Sequence, residues 1–331
     1  MKLVLPMAGY GARLRPHTWS KPKPLVSVAG KAVLGHFLDS LGSISDFDEV
    51  VFVVGYLGEQ VETFVSEHYP GLNARYVVQE QLVGQSHAIW LARAGLEGPA
   101  LIGFVDTLIE ADFSSLGAEA VIWVKEVEDP RRFGLVELGQ DGLVRRLVEK
   151  PPDPQSHLAV VGFYFFPRAE QLIAKIEQQM AEGDALKGEF YLADAINRLL
   201  DGGLRIRAQS VEVWQDLGTP SAVLEANRYL LARGRDNSNE LQRAGVETEP
   251  PVHIDPSAEI RQSVIGPFAS IGPGCVIERC EIRDSIVDAD THITDSTVSG
   301  SLIGRGARVV GVSGLLNIGD SSEVIGLKGN A

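Results

Sequence analysis

KLVLPMAGYGARLRPHTWSKPKPL, residues 2 to 25, decides how the long N-terminal part of this chain is read. The apolar run Lys2 to Met7 is broken by Pro6 and followed at once by Gly9, Gly11 and Arg13. That pattern imitates a secretory leader only faintly and reads better as a buried first strand that delivers the chain into a glycine loop. Lys2, Arg13, Arg15, Lys21, Lys23 and Lys31 all precede the first carboxylate, Asp39, although the formal net charge of the chain is −14. Solvated surfaces mix their signs. Cations gathered around a glycine loop therefore predict a polyanionic ligand, because a loop between a strand and a helix can cradle phosphate on its backbone N–H groups.

Downstream, apolar runs alternate with helical periodicity, the mark of an α/β sheet. Strands are expected at Lys2–Met7, Glu49–Val54, Arg75–Val78 and Pro99–Val105, and helices at Val33–Leu41, Glu59–Glu67 and Ser86–Ala94. Continuous apolar strands such as VVFVV imply burial on both faces, hence a doubly wound, mostly parallel, Rossmann-like sheet. A second block adds a strand in AVIWVK, a hairpin around Asp141-Gly142, a strand at 160–166 and one at Arg205–Val211. Helices are expected at Arg168–Ala181 and Phe190–Leu200, with a last one from Pro220 to about Ala232.

Residues 234–251 are polar, end in two prolines and read as a linker between a domain at 1–233 and another at 252–331. Beyond the linker the periodicity changes. Ile254, Ile260, Ile265, Ile271, Ile277, Ile282, Val287, Ile293, Val298, Ile303 and Val309 are separated by ten successive intervals of five or six. Neither an α-helix nor an isolated strand has that period. A left-handed β-helix of hexapeptide repeats does, each aliphatic residue pointing inward from one side of a coil, with roughly four coils expected.

Composition narrows the function. The chain has 331 residues, with 44 acidic against 30 basic, which argues against a nucleic-acid polymer as partner and for a small nucleotide. Cys275 and Cys280 read as small core residues, and their scarcity suits the reducing cytoplasm. No run of about 18 apolar residues exists, so no membrane span is expected.

The loop lacks the third glycine of a dinucleotide fingerprint, where Leu14 stands, and lacks the Gly-Lys-Ser/Thr of a P-loop. It is instead G-x-G-x-R followed by KPKP. This stretch resembles the signature loop of the sugar-1-phosphate nucleotidylyltransferases. The likeness continues through QEQLVGQSHAI (79–89), VDT (105–107), RFGLVEL (132–138), VEKP (148–151), VGFYFF (161–166), GEFYLADAI (188–196) and WQDLGTP (214–220). With the β-helix appended, the chain is most similar to the long thymidylyltransferases of that family.

The resemblance implies transfer of a nucleotidyl group from a nucleoside triphosphate to a sugar 1-phosphate, with Mg2+ as cofactor. By the same resemblance, Ala8, Gly9, Gly11, Ala12 and Arg13 hold the triphosphate, and Arg13 and Lys23 are catalytic. Gln79 and Gly84 read the base. Gly134, Glu149, Lys150 and Gly162 bind the sugar phosphate, and Asp106 and Asp216 carry the metal; Glu189 has a less defined part. Arg15 and Lys21 are either surface charges or direct phosphate contacts.

Three positions depart from the family pattern. Pro24 stands where thymidylyltransferases carry Gln, Ala12 where Thr is usual, and Val105 where Gly precedes the metal Asp. None removes a charge, but Pro24 leaves dTTP and UTP both open. Acyl transfer by the β-helix, with His253 or His292 as base, and a silent sugar-nucleotide sensor are the alternatives. A homo-oligomer is expected, as dimer, trimer or tetramer.

Overall fold

A computed structural model of the chain describes residues 1–42, 47–111, 113, 116–240 and 245–326. Parts of the expected linker (241–244) and of the expected β-helix domain (327–331) lie outside the described residues. The chain forms two compact units, one of residues 1–10 and 37–214, the other of 11–36 and 215–331.

The first unit is built on a nine-stranded sheet. Its strands are β1 (Lys2–Pro6), β2 (Glu49–Val54), β3 (Ala74–Val78), β4 (Ala100–Gly103), β5 (Ala120–Glu126), β6 (Gly134–Leu138), β7 (Val144–Glu149), β8 (Leu158–Phe166) and β9 (Ile206–Ser210). The order is β7-β6-β8-β4-β1-β2-β3, with β5 also on β8 and β9 on β5. Strands β4, β1, β2 and β3 run parallel. The sheet as a whole is mixed, because β8 is antiparallel to β4, β5 and β6, and β6 and β7 form the expected hairpin. Alternation of side chains along β8 shows why both faces are covered. Tyr164 enters one core with Val4, Val51 and Ile102 and with side chains of α1 (Gln85–Leu91), α2 (Ala169–Glu182) and α3 (Leu192–Asp201). Its neighbour Phe163, on the other face, stacks on Phe37 with ring centroids 5.2 Å apart. Expected and observed elements differ mainly at their ends.

The second unit contains three parallel sheets of five short strands each, stacked as the coils of a left-handed β-helix. Corresponding inward residues pair from coil to coil: Ile260 with Ile277, Ile277 with Ile293, Ile293 with Val309, and Val309 with Val324. Each coil alone has two open faces, so only stacking removes the isoleucines from water. Ile265, Ile271, Ile277, Ile282, Ile293, Ile303 and Val309 are fully buried. Five strands per sheet exceed the roughly four coils read from the repeat, because paired residues of successive coils, such as Glu259 and Val276 or Arg308 and Glu323, are closer in sequence than three full hexapeptides. The first strand of one sheet, Val246–Thr248, also lies within the stretch read as linker.

Residues 11–36 pack into this same unit. Leu14, Val26, Val28, Ala29 and Val33 share a core with Val223, Leu224 and Ala226 of the helix Pro220–Leu230 and with Ile286 and Leu302 of the coils. At its centre lies Asn227, fully buried. Its Oδ1 accepts from the Ala29 N–H (2.9 Å) and the Ser270 hydroxyl (2.7 Å), and its Nδ2 donates to the Phe268 carbonyl (2.9 Å). Replacing one partner strands buried polar groups at about 1–3 kcal/mol each. Asn227→Leu is therefore expected to lower the urea midpoint of unfolding with an unchanged m-value. A midpoint equal to the parent's would show that the amide carries none of this packing.

Candidate active site

Parallel strands bring their carboxyl ends to one edge, where ligands gather in open α/β sheets. In the sheet unit this edge collects residues far apart in sequence. β1 ends in Ala8, Gly9 and Tyr10, β2 in Gly55, β3 in Gln79, and β4 runs on to Asp106. The Met7 N–H donates to the Val53 carbonyl and the Gln79 N–H to the Val54 carbonyl, both at 2.8 Å. Gly55, which the sequence did not flag, is required by close approach, since a Cβ there would lie 2.4 Å from the Ala8 carbonyl oxygen.

Gln79 is buried and oriented. Its Nε2 donates to the Gly84 carbonyl and lies 3.1 Å from His87 Nδ1. Burial pulls the His87 pKa down, which favours the neutral ring that can accept from the amide. Gly84, at φ +110, is seated so tightly that a Cβ would be 2.5 Å from the Phe190 backbone. His87 was left without a role in the sequence, because a contact eight residues away on a turn has no local periodicity.

The other end of the same edge carries the sugar-phosphate candidates. Glu149 pairs with Gly134 across the hairpin, and a Cβ on Gly134 would lie 3.0 Å from Glu149 Oε2. Lys150 Nζ is 3.1 Å from Glu149 Oε1, and Lys150 takes a left-handed φ of 41° while its N–H reaches the Phe133 carbonyl. Gly162, at φ +86, accepts from the Phe104 N–H at 2.9 Å. Burial raises the pKa of Tyr164, of Tyr191 and of Asp194, and Glu149 adds to each. Glu189 is hydrogen-bonded to Tyr191 and contributes to its shift. Tyr191 and Asp194 thus join the candidates, although within GEFYLADAI only Glu189 had been singled out.

Gly11, Ala12, Arg13, Lys23 and Asp216 belong to the β-helix unit. Gly11 is left-handed (φ +61), and a Cβ there would press on Thr18 Cγ2 at 3.0 Å and Lys23 Cβ at 3.1 Å. The Thr18 hydroxyl donates to the Gly11 carbonyl, closing the turn on itself. Ala12–Leu14 and Lys23–Leu25 form single 3-10 turns. The Arg13 guanidinium, more than half exposed, lies 3.8 Å from the Asp216 carboxylate. Gly218 makes room for this pair, for a Cβ there would meet Arg13 Nη2 at 2.6 Å and Asp216 Oδ1 at 2.8 Å. Lys21 is instead turned onto two β-helix carboxylates, Asp288 and, at 3.6 Å, Asp320.

A nucleotidyl transferase family model matches residues 2–233. The chain is a nucleotidyl transferase. Glucose-1-phosphate thymidylyltransferase of Streptomyces antibioticus is 32% identical over 93% of each chain. The bifunctional protein GlmU of Methanococcus vannielii is 28% identical over 92% of this chain and 78% of its own. Among solved structures, UDP-glucose pyrophosphorylase complexed with UDP-glucose superposes with a TM-score of 0.58 at 20% identity, covering 70% of this chain and 98% of that one, a likeness of fold. Among the described residues no helix of this transferase is long and apolar enough to cross a membrane.

His17 of the signature loop is buried, and desolvation, its largest influence, lowers its pKa from 6.5. The native state then binds fewer protons than the unfolded chain. Stability from this group is full above the ordinary imidazole value and is lost as pH falls through it, by up to about 1.4 kcal/mol per pH unit. Urea midpoints from pH 8 to pH 5 are expected to fall less steeply for His17→Gln than for the parent. Parallel curves would assign the acid sensitivity to other groups.

Proposed function

We propose that this transferase joins a pyrimidine nucleoside triphosphate, dTTP or UTP, to a hexose 1-phosphate, glucose 1-phosphate first, giving an NDP-sugar and pyrophosphate. The observation that carries the reading is the single sheet edge onto which Ala8, Gly9, Gln79, Asp106, Gly134, Glu149, Lys150 and Gly162 converge. The kinship with glucose-1-phosphate thymidylyltransferase along nearly the whole chain supports the choice of substrates.

The sugar phosphate oxygen attacks the α-phosphorus, the new O–P bond forms, and the bond to the β-phosphate oxygen breaks as pyrophosphate leaves. An already ionised phosphate needs no general base, so the chain's task is to hold two polyanions together and in line. Gly9, Gly11 and Ala12 present backbone N–H groups to the triphosphate, as Ala8 lets the loop approach. Arg13 and Lys23 neutralise charge on the transferring and leaving phosphates. The Gln79 amide, fixed by Gly84 and His87, reads the pyrimidine edge by donating and accepting. Lys150 grips the sugar phosphate, Glu149 accepts from sugar hydroxyls, and Gly134 and Gly162 keep the ring's path clear of side chains.

Asp106 and Asp216 are oxygen donors, and among the described residues no group of three or more His, Cys, Asp or Glu is placed to hold a metal ion. That donor set fits Mg2+, which takes one or two carboxylates and completes its shell with water and phosphate oxygens. Mg2+ held by either carboxylate would supply positive charge to the substrate phosphates. The family model's extent supports a catalytic domain at 1–233, joined through 234–251 to the β-helix domain at 252–331. Free, buried Cys275 and Cys280 suit a reducing cytoplasm, and a homo-oligomer remains part of the proposal. Acyl transfer by the β-helix is the second reading, and kinship to a protein described as bifunctional leaves room for a second activity. It is weakened by His253, whose ring lies so close to Gly30 that a Cβ there would be 2.0 Å from Nε2.

The test is pyrophosphate release with Mg2+ and glucose 1-phosphate against dTTP, UTP, GTP, ATP and CTP, repeated with Asp106→Asn and Lys23→Ala. Release with dTTP or UTP is expected, slowed by about 100-fold or more in each variant with its melting temperature unchanged. Silence with all five nucleotides, and again with mannose, galactose and N-acetylglucosamine 1-phosphates, would end the reading.

A further inference from the structure

The stretch of the signature loop between Arg13 and Lys23 is fastened to the last coils of the β-helix. His17 Nε2 lies 2.6 Å from Asn317 Oδ1, and the Ser20 hydroxyl donates to Asp320 at 2.6 Å. Lys21 pairs with Asp288 and Asp320, and its side chain is only 14% exposed. Pro16 rests on Gly319, where a Cβ would come within 2.9 Å of the proline ring. Asp288 and Asp320 are themselves held from the coil side. Asp288 Oδ1 accepts from the Ala289 N–H and Asp320 Oδ1 from the Arg305 N–H, both at 2.8 Å, which leaves the other oxygen of each aimed at the loop.

The sequence separations, 267 to 300 residues, make this a tertiary device and not a local turn. A largely buried lysine between two oriented carboxylates has one favourable position, and removing the lysine leaves both carboxylates uncompensated. The buried imidazole beside it carries a lowered pKa and faces the same three groups, Lys21, Asp320 and Asp288.

Resting on the nucleotidyl-transfer reading, we infer that Asn317, Asp288 and Asp320 are positioning residues for the nucleoside triphosphate, and that the β-helix serves the reaction by holding the phosphate loop in its binding shape. They act through His17, Ser20 and Lys21 and touch no substrate. With the clamp intact, Arg13 and Lys23 are presented without the ordering cost of a loose loop at the moment of binding. With it broken, that cost falls on triphosphate binding and not on the sugar phosphate, whose candidate residues lie in the sheet unit.

The experiment compares the full chain with Asn317→Ala, Asp288→Asn and the triple variant Lys21→Met/Asp288→Asn/Asp320→Asn, by steady-state kinetics and by amide hydrogen exchange without substrates. The expected result is a KM for the triphosphate raised about tenfold or more, with the KM for the sugar phosphate within about twofold. Amides of residues 14–25 should lose protection while those of the β-helix core keep theirs. The triple variant, with all three charges of the cluster removed together, should recover protection beyond that of Asp288→Asn alone. Parent-like exchange of the loop in Asn317→Ala and Asp288→Asn would overturn the clamp. So would equal rises in both KM values. If the parent itself transfers no nucleotide, the functional reading fails, while hydrogen exchange still decides whether the clamp exists.

Discussion

Six cations enter the chain before its first carboxylate, and the structure is organised by how that charge is held. Like charges repel over several ångströms even when partly solvated. Each cation therefore needs a partner or an anionic ligand. Lys2 lies 3.8 Å from Glu49 within the sheet unit, and Lys21 goes to Asp288 and Asp320. Arg13 stays largely exposed beside Asp216. Lys21, withdrawn into its ion pairs, ties the loop to the coils, while the exposed Arg13 leaves positive charge at the loop's surface.

This division of labour accounts for a β-helix in a chain whose chemistry needs so little covalent assistance. Stacked coils make a stiff body, because each inward isoleucine is buried only by its neighbours above and below. A stiff body is a suitable support for a loop that must keep glycines in left-handed geometry and cations in place. Asn227 ties the same segment in from behind, linking Ala29, Phe268 and Ser270 through one amide. The loop is thus gripped on two sides by parts of the chain 198 to 300 residues away.

Much of this was legible in the sequence wherever the signal was periodic or local. The isoleucine spacing predicted the β-helix, the apolar runs predicted β1, β2 and β4, and Asp141-Gly142 predicted the hairpin. The mixed character of the sheet was not legible, because the direction of β8 beside β4 depends on connections and not on side-chain pattern. The rung at Val246–Thr248 was hidden by its polar surroundings and adjacent prolines. Lys21 looked the same as the other cations of the loop, since Asp288 and Asp320 are remote in sequence. Of the candidates taken from motifs, Gln79 and Glu149 lie at strand ends and Gly11 in a turn, while Gly162 lies within β8. Gly55, His87, Tyr191 and Asp194 emerged only from close approach, hydrogen bonding or burial.

The central claim is that the chain makes a sugar nucleotide and does not merely cleave a triphosphate. Phosphorus-31 NMR of a reaction containing Mg2+, glucose 1-phosphate and dTTP or UTP reads the bond directly. The account predicts that the sugar monophosphate signal is replaced by the coupled pair of a diphosphate diester, with one pyrophosphate for each. A nucleoside monophosphate accompanying the pyrophosphate, with the sugar phosphate untouched, would contradict it.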